Sequence, residues 1–131
     1  MTRIFLIQHN GFFGFSWIDD PRPPRDLVML INTGSLRLGE TFFMDLEMQS
    51  ACSIPEVGVV VVTDEAPLVR LTPRMYQVLW NIADGKSAHQ LANSLQIRTY
   101  TVYQHYARLK ERFSAGTLAE VVVQAQMLGY L

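Results

Sequence analysis

The side chains best suited to chemistry in this 131-residue chain lie between Thr99 and Arg112. At about 100° per residue, Tyr100, Gln104, Ala107, Arg108 and Glu111 share one face of a helix. Thr101, His105 and Arg112 run along one edge of that face, and Tyr103 and Lys110 along the other. Such a set suits recognition rather than bond making. A glutamine amide can pair in bidentate fashion with an adenine edge, and guanidinium and hydroxyl groups meet phosphates. A helix carrying them fits a major groove, central residues on base edges and flanking residues on the backbone. The same residues also suit a solvated helix face. Tyr100, Tyr103 and Tyr106 look like a stacking series, but Tyr106 falls on the side expected to be buried.

Other chemistries find no support. His9, His89 and His105 lack metal-ligand spacing, and Cys52 is the single cysteine. There is no nucleophile–base–acid set, no glycine-rich phosphate loop and no paired-carboxylate motif. Asp19-Asp20 precede Pro21 and read as a loop entry. Hence no catalytic, cofactor-binding or metal residue is expected, and the chain is not expected to be an enzyme. A lone cysteine excludes an intrachain disulfide and suits a reducing compartment. The apolar run Ile4–Ile7 stops at Gln8-His9-Asn10, unlike a signal peptide, and Val57–Val62 is too short to span a membrane. A soluble, cytoplasmic protein without membrane association is expected.

The formal charge of −1 divides unevenly. Residues 1–70 carry five Arg against nine acids, giving −4, and residues 71–131 carry six bases against three acids, giving +3. A basic half beside an acidic one suits a polyanion-binding module with a regulatory companion, although a difference this small also arises by chance.

The elements that must position the 99–113 helix are well punctuated. Thr72-Pro73 supplies a capping hydroxyl followed by proline at the first helical position. Met75, Val78, Leu79 and Ile82 then repeat at helical spacing up to Gly85. Ser87-Ala88-His89-Gln90 has the form of a capping box and opens a short helix with Leu91, Ala92 and Leu95 facing inward. After a turn at Gln96-Ile97, the third helix buries Val102, Tyr106, Leu109 and Phe113. Thr117-Leu118-Ala119-Glu120 is a second capping box, opening a fourth helix that ends near Gly129. Its apolar residues Leu118, Val121, Val122, Val123, Ala125 and Leu128 cover more than one face, one for the domain and the remainder for a partner.

Ahead of Asp64 the pattern differs. Arg3–His9, Gly14–Ile18, Leu27–Asn32 and Val57–Val62 read as strands from their β-branched and aromatic content. Thr33-Gly34 suits a turn between Leu27–Asn32 and Leu36–Leu38, and Pro21–Pro24 an extended loop. Glu40–Cys52 fits helix and strand almost equally. The fold expected is α+β: a small strand-rich segment over 1–66, for regulation or dimerisation, and a four-helix unit over 67–131.

The residues of the second unit name a family. Leu71-Thr-Pro-Arg74, Val78-Leu79, Ile82-Ala83-Asp-Gly85, Ser87, Leu91-Ala92, Leu95-x-Ile97, Thr101-Val102 and His105 closely resemble the LuxR-type (GerE) helix-turn-helix domain. Leu109, Arg112-Phe113 and Glu120-x-Val122 keep the register. The resemblance implies a transcription regulator that binds double-stranded DNA through its third helix and dimerises through its fourth. By position, Tyr103, Gln104, Ala107 and Arg108 would face bases, and Thr101, His105 and Arg112 the DNA backbone, with His89 and Thr99 as further phosphate contacts. Leu118, Val121, Val122, Ala125 and Leu128 would form a homodimer. Five positions depart from the family pattern. Met75 and Gln77 replace acidic residues, and Gln96 replaces a turn glycine, a costly change if φ is positive there. Arg98 replaces a Ser or Thr cap, for which Thr99 could substitute, and Tyr103 replaces a lysine.

Relatives of that kind often carry a phosphoacceptor receiver domain. Arg3–Ile7, Asp26–Leu30 and Val57–Thr63 resemble its first, third and fourth strands. Yet Gln8-His9 stand where an acidic pair belongs, Ile31 stands at the phosphoacceptor position, and seventy residues are too few for five βα units. A degenerate, shortened receiver and an unrelated α+β segment both stay open. A function from another class also stays open: an adaptor whose helix-turn-helix binds RNA polymerase or another regulator instead of DNA.

Overall fold

The computed structural model describes residues 2–7, 13–18, 21–36 and 49–131. The chain divides into two compact units, Met1–Arg70 with Leu128–Tyr130, and Leu71–Met127 with Leu131. Gln8-His9, Asp19-Asp20, Arg37-Leu38 and the helix-or-strand stretch over 40–48 lie outside the described residues.

Among the described residues, the first unit holds a four-stranded sheet. β1 (Thr2–Ile7) and β2 (Phe13–Ile18) pair antiparallel, with Thr2 opposite Ile18 and Ile7 opposite Phe13. β3 (Ser50–Ile54) and β4 (Val59–Thr63) form a second antiparallel pair. A 3-10 turn at Pro55–Val57 joins them, ended by Gly58 at φ +63°. Parallel pairing of β1 with β4 joins the two hairpins in the order β2-β1-β4-β3. Four consecutive valines make β4 a strong strand former. Its register puts Val60 between Ile4 and Ser53, and Val62 opposite Ala51. Those five residues and Thr2 are buried on one face of the sheet.

The segment Leu27–Asn32, expected as a strand, is instead the end of a helix, α1 (Pro24–Asn32). Pro23 takes the extended cap conformation, Pro24 enters the first turn and Asp26 sits near the positive end of the helix. Leu27, Val28 and Ile31 are fully buried, and α1 packs on β3 and β4. Each buried aliphatic side chain contributes about 1.5–3 kcal/mol, which outweighs the modest strand preference of the run. Thr33-Gly34 therefore ends a helix rather than closing a hairpin: Gly34 has φ +74°, and the Ser35 amide donates to the Leu30 carbonyl at 2.8 Å. This corrects the receiver comparison as well. Ile31 lies in a helix, and the strands form two antiparallel hairpins instead of successive βα units.

β3, which overlaps the ambiguous stretch only at Ser50–Cys52, lies at one edge of the sheet, and its outward backbone groups are covered. Ala51 donates its amide to Asn32 Oδ1 at 2.7 Å, and Asn32 Nδ2 donates to the Ala51 carbonyl at 3.1 Å. Ser53 donates its amide to the Gly129 carbonyl at 2.7 Å, and its hydroxyl donates to the same oxygen at 3.3 Å. One side-chain amide and one tail peptide thus block an edge that would otherwise template pairing. Tyr130 completes the tail: it is buried, its hydroxyl donates to the Val69 carbonyl at 3.0 Å and accepts from the Val69 amide at 3.3 Å.

The second unit is four helices: α2 (Pro73–Ala83), α3 (Ala88–Leu95), α4 (Thr99–Arg112) and α5 (Leu118–Met127). Thr72 Oγ1 accepts from the Met75 amide at 3.2 Å, capping α2. Gly85, at φ +83°, ends it, with the Lys86 amide donating to the Asn81 carbonyl at 3.0 Å. α2 packs on α4 and α5, and α3 and α5 pack on α4. The core includes Leu71, Met75, Val78, Leu79, Leu91, Ala92, Val102, Leu109 and Phe113. Tyr76 and Trp80 join it as a tilted ring pair with centroids 6.1 Å apart. Ile82, Leu95 and Tyr106, expected inside, are half-buried.

Candidate nucleic-acid interface

The geometry begins at the start of α3. Ser87 Oγ accepts from the Gln90 amide at 3.2 Å, and Gln90 Oε1 accepts from the Ser87 amide at 2.9 Å, a reciprocal capping box. At the far end Gln96 is left-handed, with φ 55° and ψ 44°, and the Ile97 amide donates to the Ala92 carbonyl at 3.0 Å. This tight turn redirects the chain after only eight residues of helix. Arg98 then returns to extended backbone (φ −76°, ψ 149°) as the cap of α4, without a side-chain capping bond. Thr99 is inside the helix and does not substitute as the cap.

α4 has fourteen residues, about 21 Å at 1.5 Å each. Val102 and Leu109 anchor it in the core, with Phe113 just beyond its end. The opposite face is open: Tyr100 is 71% and Tyr103 58% exposed, and Gln104, Ala107, Arg108, Glu111 and Arg112 are exposed too. Thr99, Thr101, His105 and Lys110 are half-exposed along the flanks. The Tyr103 and Tyr106 rings meet edge to face, with centroids 5.8 Å apart and an interplanar angle of 89°. Residues 69–125, spanning α2, α3, α4 and most of α5, match the family model described as bacterial regulatory proteins, luxR family (GerE).

Residues 69–125 form a LuxR-family domain. No curated protein sequence matches the chain. The family matched over these residues is one of helix-turn-helix DNA-binding regulators rather than of enzymes. Among the described residues, no helix is long and apolar enough to cross a membrane, and no group of three His, Cys, Asp or Glu is placed to hold a metal ion.

Within the LuxR-family domain, α4 brings Tyr103, Gln104, Ala107 and Arg108 onto one exposed surface, with Thr101, His105 and Arg112 beside it. Thr99 stands in the first turn of α4, and His89 is exposed in the first turn of α3. Burial holds the His105 imidazole below its ordinary pKa of 6.5, and the nearby Arg108 and Arg74 charges lower it further. Its Nδ1 is buried without a hydrogen-bond partner. Both pKa effects favour the neutral imidazole of His105. Arg74, exposed in the first turn of α2, is a cation near this edge that site reasoning from the sequence passed over. Its signal was its position directly after the Thr72-Pro73 helix start. Burial also raises the Tyr106 phenol pKa, and the Tyr103 phenol adds to the rise.

α5 changes the expected pairing surface. Val121 and Ala125 are fully buried in the monomer, so they belong to the core of the domain and are not exposed for pairing. Leu118, Val122 and Leu128 are half-buried. The exposed apolar positions are Ala119, Val123 and Met127, spaced four apart on one stripe. The helix start is a variant box: Thr117 Oγ1 accepts from the Glu120 amide at 3.2 Å, while Glu120 Oε2 accepts from the Gly116 amide at 2.8 Å, one residue earlier than the usual partner.

Proposed function

We propose that this protein is a sequence-specific transcription regulator that lays α4 in the major groove of double-stranded DNA. The observation that carries this reading is the exposed face of Tyr103, Gln104, Ala107 and Arg108 on a helix whose other side is locked into the core. Gln104 reads a base edge, Arg108 reaches a base or the adjoining phosphate, and Arg112, Thr101 and His105 hold the backbone. His89, Thr99 and Arg74 extend the phosphate footprint. The protein acts as a dimer in the cytoplasm, and Leu118, Val122 and Leu128, with the exposed stripe Ala119, Val123 and Met127, form the pairing surface.

Fluorescence anisotropy of the full chain against selected and random duplexes tests this. Arg112→Ala should weaken binding about equally on every sequence and flatten its salt dependence. Gln104→Ala should relax preference at one base pair, where a bidentate contact gives about 1–3 kcal/mol of discrimination. Indifference to both substitutions would falsify the groove assignment. The adaptor reading, with RNA polymerase or another regulator as partner, draws support from the exposed Tyr100 and Tyr103, since tyrosine is favoured at protein interfaces. An adaptor should leave a DNA-cellulose column at low salt.

A further inference from the structure

The central groove-facing positions of α4 carry no positive charge. Tyr103, Gln104 and Ala107 form a contiguous triangle: with Tyr103 at zero, Ala107 lies at about 40° and Gln104 at about 100° around the axis. They occupy about 6 Å of helix, the length of roughly two base-pair steps. The first cation on this surface is Arg108, followed by Arg112. Bidentate pairing with guanine needs arginine or lysine, so it is available only toward the C-terminal part of the face. The centre instead presents an amide, a methyl group and a phenol ring.

That ring is held in place. Tyr103 is 58% exposed, yet its ring abuts Tyr106 edge to face at 5.8 Å, and Tyr106 is itself half-buried. A ring braced in this way loses little freedom when it meets a ligand, and aromatic pairs of this geometry favour the arrangement beyond simple area burial. The only base substituent in the major groove that suits an apolar strip is the 5-methyl group of thymine.

We propose that Tyr103, braced by Tyr106, and the Ala107 methyl read thymine 5-methyl groups beside an adenine read by Gln104, so that the centre of each half-site is made of A·T pairs. This rests on α4 being the groove helix and adds the identity of what it reads. Guanine is accepted only where Arg108 reaches.

The test starts from duplexes selected in vitro by the full chain, resynthesised with deoxyuridine for thymidine, which keeps pairing and removes only the methyl. Each methyl buried against the strip should cost about fourfold in affinity when removed. Tyr103→Ser, an exposed substitution whose folding is checked by circular dichroism and melting, should lose part of the distinction between the two duplexes. Equal affinity for both duplexes, or G·C pairs at the centre of the selected site, overturns the proposal while leaving salt-dependent duplex binding intact. Failure to retain any duplex overturns it together with the DNA-binding reading.

Discussion

Replacing Gly129 by alanine should detach the C-terminal tail from the sheet of the first unit. Gly129 has φ +71°, where a residue bearing Cβ is disfavoured by about 1–2 kcal/mol. A Cβ there would also fall 2.6 Å from Cys52 Cβ and 2.8 Å from both the amide nitrogen and the carbonyl oxygen of Ser53. None of these atoms is the end of a flexible side chain, so the tail must move. Moving it removes the 2.7 Å bond from the Ser53 amide, and a buried amide left without a partner costs about 1–3 kcal/mol. The substitution should therefore lower stability by about 2–5 kcal/mol. Urea denaturation measures the loss, and Cys52, the only cysteine, reports its place. Its thiol is half-buried, and burial pushes its pKa up, a rise offset in part by a backbone hydrogen bond from Val61. Reaction with a thiol reagent should accelerate when the tail leaves. A Gly129→Ala protein within about 0.5 kcal/mol of the parent, the usual range for neutral surface changes, with an unchanged Cys52 rate, would refute the reasoning.

Gln96→Gly should stabilise the helix-turn-helix by about 1 kcal/mol, because Gln96 is held at φ 55° and glycine adopts that conformation without a Cβ penalty; thermal melting checks it, and no rise in midpoint would count against a strained turn. His105 should make stability pH-dependent. Its folded pKa lies below the ordinary 6.5, so between the two values the unfolded chain binds more protons than the native one. Its effect is absent above about pH 6.5, and stability falls as the pH drops toward the folded pKa. In paired urea titrations, His105→Gln should remove this part of the slope.

What the sequence determined was mostly local. The Thr72 cap, the Ser87–Gln90 box and the Gly85 stop bind partners three to five residues away, so their donors and acceptors are visible in the order of residues. For the same reason the exposed face of α4 followed from helical period alone. Gln96 is a costly residue for a turn at positive φ, and the left-handed backbone found there gives that cost its cause. The tertiary structure decided what depends on distant partners. Leu27–Asn32 reads as a strand by composition and becomes a helix because Leu27, Val28 and Ile31 bury together on the sheet. β3 was indistinct because Ser50, Ala51, Cys52 and Ser53 carry little strand signal, and its outer edge is satisfied from 19 residues away by Asn32 and 76 residues away by Gly129. Along α5 nearly every position is apolar, so the sequence could not separate the face turned inward from the face left outside. Packing separated them, burying Val121 and Ala125 and exposing Val123 and Met127, because the side of a uniformly apolar helix that is covered depends on its neighbours.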